Sequence, residues 1–280
     1  MMDLSAPNLW VVAFGATVAW WASTGFILAL VGQAERTYRW SLLGAVVSTA
    51  VAISVVMATR SAATAEGALA AFAAAIVVWG AIELAFLTGY VVGPVREPCP
   101  SGLDTWARFR ASFRVISHHE YLLLAALLLL YGLVRDSANT LAFDTFALMW
   151  VMRLSTKLNI FLGVSNVSEE FLPARIAYLK TYFRKAPMNA LFPLSATVAT
   201  VVVVIFVLQA TGSGATPFTA TSATLLATFA ALAVIEHWML VVPFPAEALW
   251  PWASGSKGRP AHRNAAPPDP PQQRATVNRA

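Results

Sequence analysis

The chain has 280 residues, of which 58% are hydrophobic and only 12% charged, with a mean hydropathy of +0.64. A soluble domain carries about 25% charged residues, so the composition excludes an ordinary soluble protein and points to an integral membrane protein. The formal charge is +5, but its distribution matters more than its sum, and the single cysteine, Cys99, rules out an intramolecular disulfide.

A helix needs roughly 20 apolar residues to cross the hydrocarbon core, and seven segments meet that length. The first, about 8–32, lies between Asp3 and Glu35; with no basic region before it, it reads as a retained span. The second, about 40–59, lies between Arg39 and Arg60, and the third, about 67–92, ends at Gly93-Pro94. The connection 93–115 opens with prolines that forbid helix. Asp104 can then cap a helix that carries Trp106, Phe109 and Phe113 on one stripe and runs into the fourth span, about 116–134. The fifth span is about 139–163. In the connection 164–188, acidic residues at Glu169 and Glu170 suit a helix start, and Ile176, Leu179 and Phe183 form an apolar face beside Arg175, Lys180, Arg184 and Lys185. A Gly-Ser-Gly turn at 212–214 divides the last apolar stretch into about 189–211 and 217–247. From about 253 to 280 the tail is rich in Pro, Gln, Asn and Arg, and disorder is expected.

The expected fold is therefore an all-α integral membrane protein. A bundle of seven transmembrane helices with two cytoplasmic interfacial helices fills residues 1–252. Fifteen Lys and Arg fall on one side, in the connections after spans one, three and five and in the tail; only Arg60 and Arg135 fall on the other. The positive-inside rule then places the N-terminus outside, in the periplasm, and the C-terminus in the cytoplasm.

Ionisable residues inside apolar spans are costly and by default mark a functional site. Four stretches qualify: Glu83, the run His118-His119-Glu120, Arg153 with Lys157, and Glu236-His237. At 1.5 Å per residue, Glu83 lies about 15 Å above its helix end and Glu236 and His237 about 15 Å before theirs. His118 and His119 lie about 20 Å along a helix that starts at Asp104. All four stretches then share the cytoplasmic half.

Three readings of this layer compete. Glu83, His118, Glu120, Glu236 and His237 are the donor types of a di-iron centre, although the Glu-x-x-His spacing of four-helix di-iron proteins is absent. His118 or His119 could instead ligate a tetrapyrrole, with Glu83, Glu236 and His237 orienting it. In the third reading Glu83 and Glu236 pair with Arg153 and Lys157 to fix helix packing, and Glu120 snorkels to the interface. Arg153, Lys157, Asn159, Glu169 and Glu170 are the candidate contacts for a substrate or partner. Cys99, between two prolines, reads as an unreactive thiol. No phosphate loop, dinucleotide fingerprint or nucleophile–base pair is present, and nothing suggests a nucleic-acid partner.

Several segments carry a family resemblance. They are WGAIELAFLTG at 79–89, Gly93-Pro94 with Pro98-Cys99-Pro100, HHE at 118–120, MRLSTKLNIFLG at 152–163, EEFLP at 169–173, YLKTYF at 178–183, LFP at 191–193 and EHWMLVVP at 236–243. Together they resemble the PuhE family, photosynthetic complex assembly proteins of anoxygenic phototrophic bacteria, over about Asn8 to Trp252. The genes of that family lie near that of the reaction-centre H subunit. The resemblance implies a multi-pass protein of the bacterial inner membrane that assists reaction-centre or light-harvesting assembly or affects bacteriochlorophyll supply. The expected partners are the lipid bilayer and reaction-centre or antenna subunits, and the expected cofactor is bacteriochlorophyll or a precursor. The alternative is a dimetal membrane oxidoreductase of bacteriochlorophyll synthesis, with Arg153 and Lys157 placing a carboxylate substrate.

Overall fold

A computed structural model describes residues 8–167, 169, 172–242 and 246–253. Among them are seven α-helices: α1 (Leu9–Val31), α2 (Tyr38–Thr59), α3 (Ala65–Leu87), α4 (Thr105–Val134), α5 (Leu141–Leu162), α6 (Leu191–Thr211) and α7 (Pro217–Met239). The only β pairing among them is an isolated bridge between Val164 and Lys185. Every helix but α5 is long and apolar enough to cross a membrane. α5 has comparable length but carries Asp144, Arg153 and Lys157.

The helix starts follow from short polar side chains that accept first-turn N–H groups. Asn8 accepts from Trp10 and Val11, Thr64 from Gly67, Asp104 from Ala107, and Thr216 from Thr219 just ahead of Pro217. α3 and α7 form the centre. α3 packs against α1, α2, α4, α5 and α7, and Ala68, Ala71, Ala74 and Ala75 on it are buried. Small residues let neighbouring backbones approach closely, which is how helices associate in lipid. Aromatic edges fill the rest: Phe72 meets Phe229 at 4.8 Å and Trp79 meets Phe146 at 5.3 Å between centroids. α1, α2 and α6 bury few of their apolar side chains, as helices facing lipid would.

Two helices end earlier than hydropathy suggests. α3 stops at Leu87, not near 92. Gly89 takes φ +77° and its N–H donates to the Phe86 carbonyl, while the Tyr90 N–H donates to Ala85. This is a Schellman termination, which needs a residue free to enter the left-handed region. α7 stops at Met239, short of 247. Asn166 Nδ2 donates to the Met239 carbonyl, the Asn166 N–H to Leu240, and Ser165 Oγ to Val241. The connection after α5 therefore satisfies the last carbonyls of α7.

α4 is one continuous helix of 30 residues, about 45 Å long, so its first turns extend past a hydrocarbon core of about 30 Å. The expected second amphipathic helix is instead a 3-10 stretch, Ala174–Tyr182, broken at Ile176. Its Ile176, Leu179 and Tyr182 are buried against Phe86, Val92 and Val115. The expected disordered tail beyond Ala253, together with Glu170, lies outside the described residues.

Candidate functional site

The polar layer forms where α3, α4, α5 and α7 meet, with α1 covering one side. Because α3 and α7 end early, Glu83 sits one turn from the end of α3, and Glu236 and His237 occupy the last turn of α7. The depths of about 15 Å expected from hydropathy are therefore too large, and the layer lies near the helix ends.

α4 is placed by the connection that precedes it. Gly93 lies on α4 so closely that a Cβ there would collide with the backbone of Arg114 and Val115. Beside it, the His119 N–H donates to the Val92 carbonyl at 3.0 Å, an acceptor outside the helix. Consecutive helical residues point about 100° apart, and the three residues of the HHE run go three ways. His118 is exposed on the outer surface, beside Tyr121, which is 57% exposed. His119 is fully buried, with its ring 4.3 Å from that of Phe86. Glu120 turns to α5, where it accepts from Lys157 Nζ at 2.5 Å. Glu120 therefore does not snorkel, and Lys157 pairs with Glu120, not with Glu83 or Glu236.

His119 Nε2 lies 3.7 Å from Glu83 Oε1, beyond hydrogen-bond length. Among the described residues, neither nitrogen of His119 nor Glu83 Oε1 has a hydrogen-bond partner, although all three atoms are buried. Leaving such groups unmatched costs about 1–3 kcal/mol each. Arg153 and Lys157 act on Glu83 electrostatically, but among the described residues Arg153 forms no ion pair within 4.0 Å.

His237 is held differently. Its Nδ1 lies 2.8 Å from the Ala233 carbonyl, and its Nε2 lies 2.9 Å from Ser155 Oγ. A carbonyl can only accept, so Nδ1 carries a proton and donates to it, while Nε2 pairs with the Ser155 hydroxyl. Both nitrogens of this imidazole are in use. Its neighbour Glu236 faces α1 and accepts from Trp20 Nε1 at 3.2 Å. Asn159 is buried and donates to the Ser155 carbonyl and to Ser195 Oγ, tying α5 to α6. Glu169 lies away from the layer in an ion pair with Lys185 at 2.8 Å. Cys99 is half-buried, its N–H donating to Thr181 Oγ1.

Among the described residues, no three His, Cys, Asp or Glu side chains converge closely enough to hold a metal ion. Glu120 is committed to Lys157, and His237 to Ser155 and Ala233. The donor set expected for a di-iron centre therefore does not fit. A tetrapyrrole does not fit at His119 either, because the ring is enclosed and lies tilted against that of Phe86. His118 has the open surface that a macrocycle needs.

A family model described as "Protein of unknown function (DUF3623)" matches residues 6–261. The chain belongs to the DUF3623 family. The DUF3623 match takes in all seven helices, and with them every residue of the polar layer. A relative from Rhodobacter capsulatus, an uncharacterized 30.4 kDa protein in the puhA 5' region, is 38% identical over 264 residues, covering 93% of this chain and 96% of the relative. No solved structure matches the chain.

Two residues of the layer give no signal in the sequence. Trp20 reads as one more apolar residue of α1, yet its indole N–H is the partner of Glu236. Ser155 reads as a small residue on α5, yet its hydroxyl is the partner of His237 Nε2.

Proposed function

We propose that this DUF3623 protein is an assembly factor for the photosynthetic reaction centre or its antenna, acting in the bacterial inner membrane. The observation that carries the reading is the relative from the puhA 5' region, which matches almost end to end. The resemblance to the PuhE family over the same segments points the same way. All seven helices cross the bilayer in this reading. The Lys- and Arg-rich connections face the cytoplasm and the N-terminus faces the periplasm. α5 crosses among its neighbours, with Lys157 neutralised by Glu120.

The working element is the HHE run on α4. His118 stands exposed at the head of an outer face that continues through Tyr121, Leu122, Leu128 and Leu129. His118 would hold the magnesium of bacteriochlorophyll or a precursor, taken from the lipid side, through a ring nitrogen. The bound pigment would supply the cargo for assembly. The Glu120–Lys157 pair and the His119 backbone N–H on the Val92 carbonyl hold α4 in the rotation that presents His118. Glu236 and His237 anchor the end of α7 against α1 and α5. Arg153, with no ion pair within 4.0 Å among the described residues, would receive a carboxylate of pigment or partner.

The test is the absorption spectrum and metal content of the protein purified from a phototrophic host. Bacteriochlorophyll in stoichiometric amount, lost in His118→Leu, supports the reading. Stoichiometric iron without pigment contradicts it. An active periplasmic reporter fused after Trp252 would overturn the orientation.

A further inference from the structure

A cleft of about 430 Å³ lies away from the polar layer, where three segments meet. Leu103 lies just before α4, Thr105 and Arg108 come from its start, and Phe161 and Leu162 from the end of α5. Thr181, Phe183, Arg184 and Lys185 come from the chain returning toward α6. Its lining holds three cations and no carboxylate.

One of these cations is fixed in place. The Arg108 guanidinium donates to the carbonyls of Phe161 at 3.1 Å and Tyr182 at 2.7 Å, and lies 4.7 Å from the Phe161 ring centroid. A guanidinium has five N–H donors, so three stay uncommitted among the described residues. Gly163, at φ +117°, turns the chain beneath Arg184, whose Cγ would crowd any Cβ at that position. Arg184 and Lys185 are themselves exposed, and Lys185 is partly neutralised by Glu169 at 2.8 Å. Around the cations lies an exposed apolar lip. Leu103 is 36%, Leu162 37% and the adjacent Trp106 63% exposed.

An anchored guanidinium, two further cations and an apolar lip match one ligand class, an anionic head joined to an acyl chain. Basic pockets between helices on the Lys- and Arg-rich side of a membrane protein recognise anionic headgroups in this way. We propose that this cleft is a binding site for the phosphate headgroup of an anionic phospholipid, with its chain along Leu103, Trp106 and Leu162. The inference is independent of whether His118 binds pigment.

The full-length protein in neutral detergent, titrated with phosphatidylglycerol or phosphatidylcholine and followed by native mass spectrometry, tests it. One phosphatidylglycerol should be retained in preference to phosphatidylcholine. The double substitution R184Q/K185Q, which leaves the Arg108 anchors intact, should weaken retention about ten- to thirtyfold, at about fivefold per lost charge. E169Q has the opposite sign, because it releases Lys185, and should hold the lipid at least as tightly. R110Q removes an exposed α4 cation outside the cleft lining and should change little. Equal loss in R110Q and R184Q/K185Q would reduce the effect to general attraction and overturn the site. Retention unchanged in R184Q/K185Q, or weakened in E169Q, would also overturn it. Displacement of the lipid by millimolar inorganic phosphate would make it a free-anion site and overturn the lipid assignment.

Discussion

The two flanks of the polar layer are built on opposite terms. On the α5–α7 flank most of the ionisable groups are matched: His237 lies between Ser155 and Ala233 and Lys157 reaches across to Glu120, while Asn159 donates to Ser195 although its Oδ1 is buried without a partner among the described residues. On the α3–α4 flank, Glu83 Oε1 and both nitrogens of His119 are buried without partners among the described residues, 3.7 Å apart across the pair. A matched buried group is expensive to disturb, whereas an unmatched one loses little when removed. The difference assigns stability to the α5–α7 flank. It leaves the α3–α4 flank, with His118 on its outer surface, as the one whose buried ionisable pair is unmatched among the described residues.

Substitutions can break or sharpen this contrast. The largest effect is expected from Lys157→Met, which strands the Glu120 carboxylate, only 11% exposed. It should lower stability by about 3 kcal/mol or more, read as a fall in thermal midpoint in detergent. Adding Glu120→Leu should recover most of the loss; no recovery would mean the two side chains are not a pair.

Gly93→Ala forces a Cβ into the α4 backbone and should cost about 1–3 kcal/mol. It should also displace His118 and so reduce any bound pigment. An unchanged melt would contradict the close approach on which the placement of α4 rests.

His237→Leu removes two hydrogen bonds and leaves the Ser155 hydroxyl unmatched, for a loss of about 2 kcal/mol. His119→Leu removes none, so its cost should stay below about 1 kcal/mol. If His119→Leu proved the more damaging of the two in the same melt, the contrast between the flanks would fail.

Much of the fold was legible because charged residues bracket apolar runs of helix length. The continuity of α4 was legible from Asp104 and the stripe that follows it. The ends of α3 and α7 were not. Val91, Val92, Val241 and Val242 prolong the apolar run, while the backbone leaves the helix for reasons hydropathy does not register. These are the positive φ of Gly89 and the capping of α7 by Ser165 and Asn166.

The layer itself was legible because ionisable residues stand out in apolar helices. Their pairing was not, since it depends on helix rotation and on register between helices distant in sequence. Rotation separates His118 from His119, and register gives Lys157 to Glu120. Uncharged polar residues stayed invisible for the same reason. Asn139 is the clearest case: buried in the turn before α5, it donates to the carbonyls of Thr59 and Gly67 and joins α2, α3 and α5.

The central claim is that α4 presents His118 to a pigment from outside the bundle while the inner layer holds it in place. The most direct measurement compares bacteriochlorophyll copurifying with wild-type protein, His118→Leu and His119→Leu at matched levels of folded protein. The account predicts pigment on the wild type and its near-complete loss in His118→Leu, with the thermal midpoint unchanged. In His119→Leu most of the pigment should remain. No pigment on the wild type, or equal pigment on wild type and His118→Leu, would contradict it.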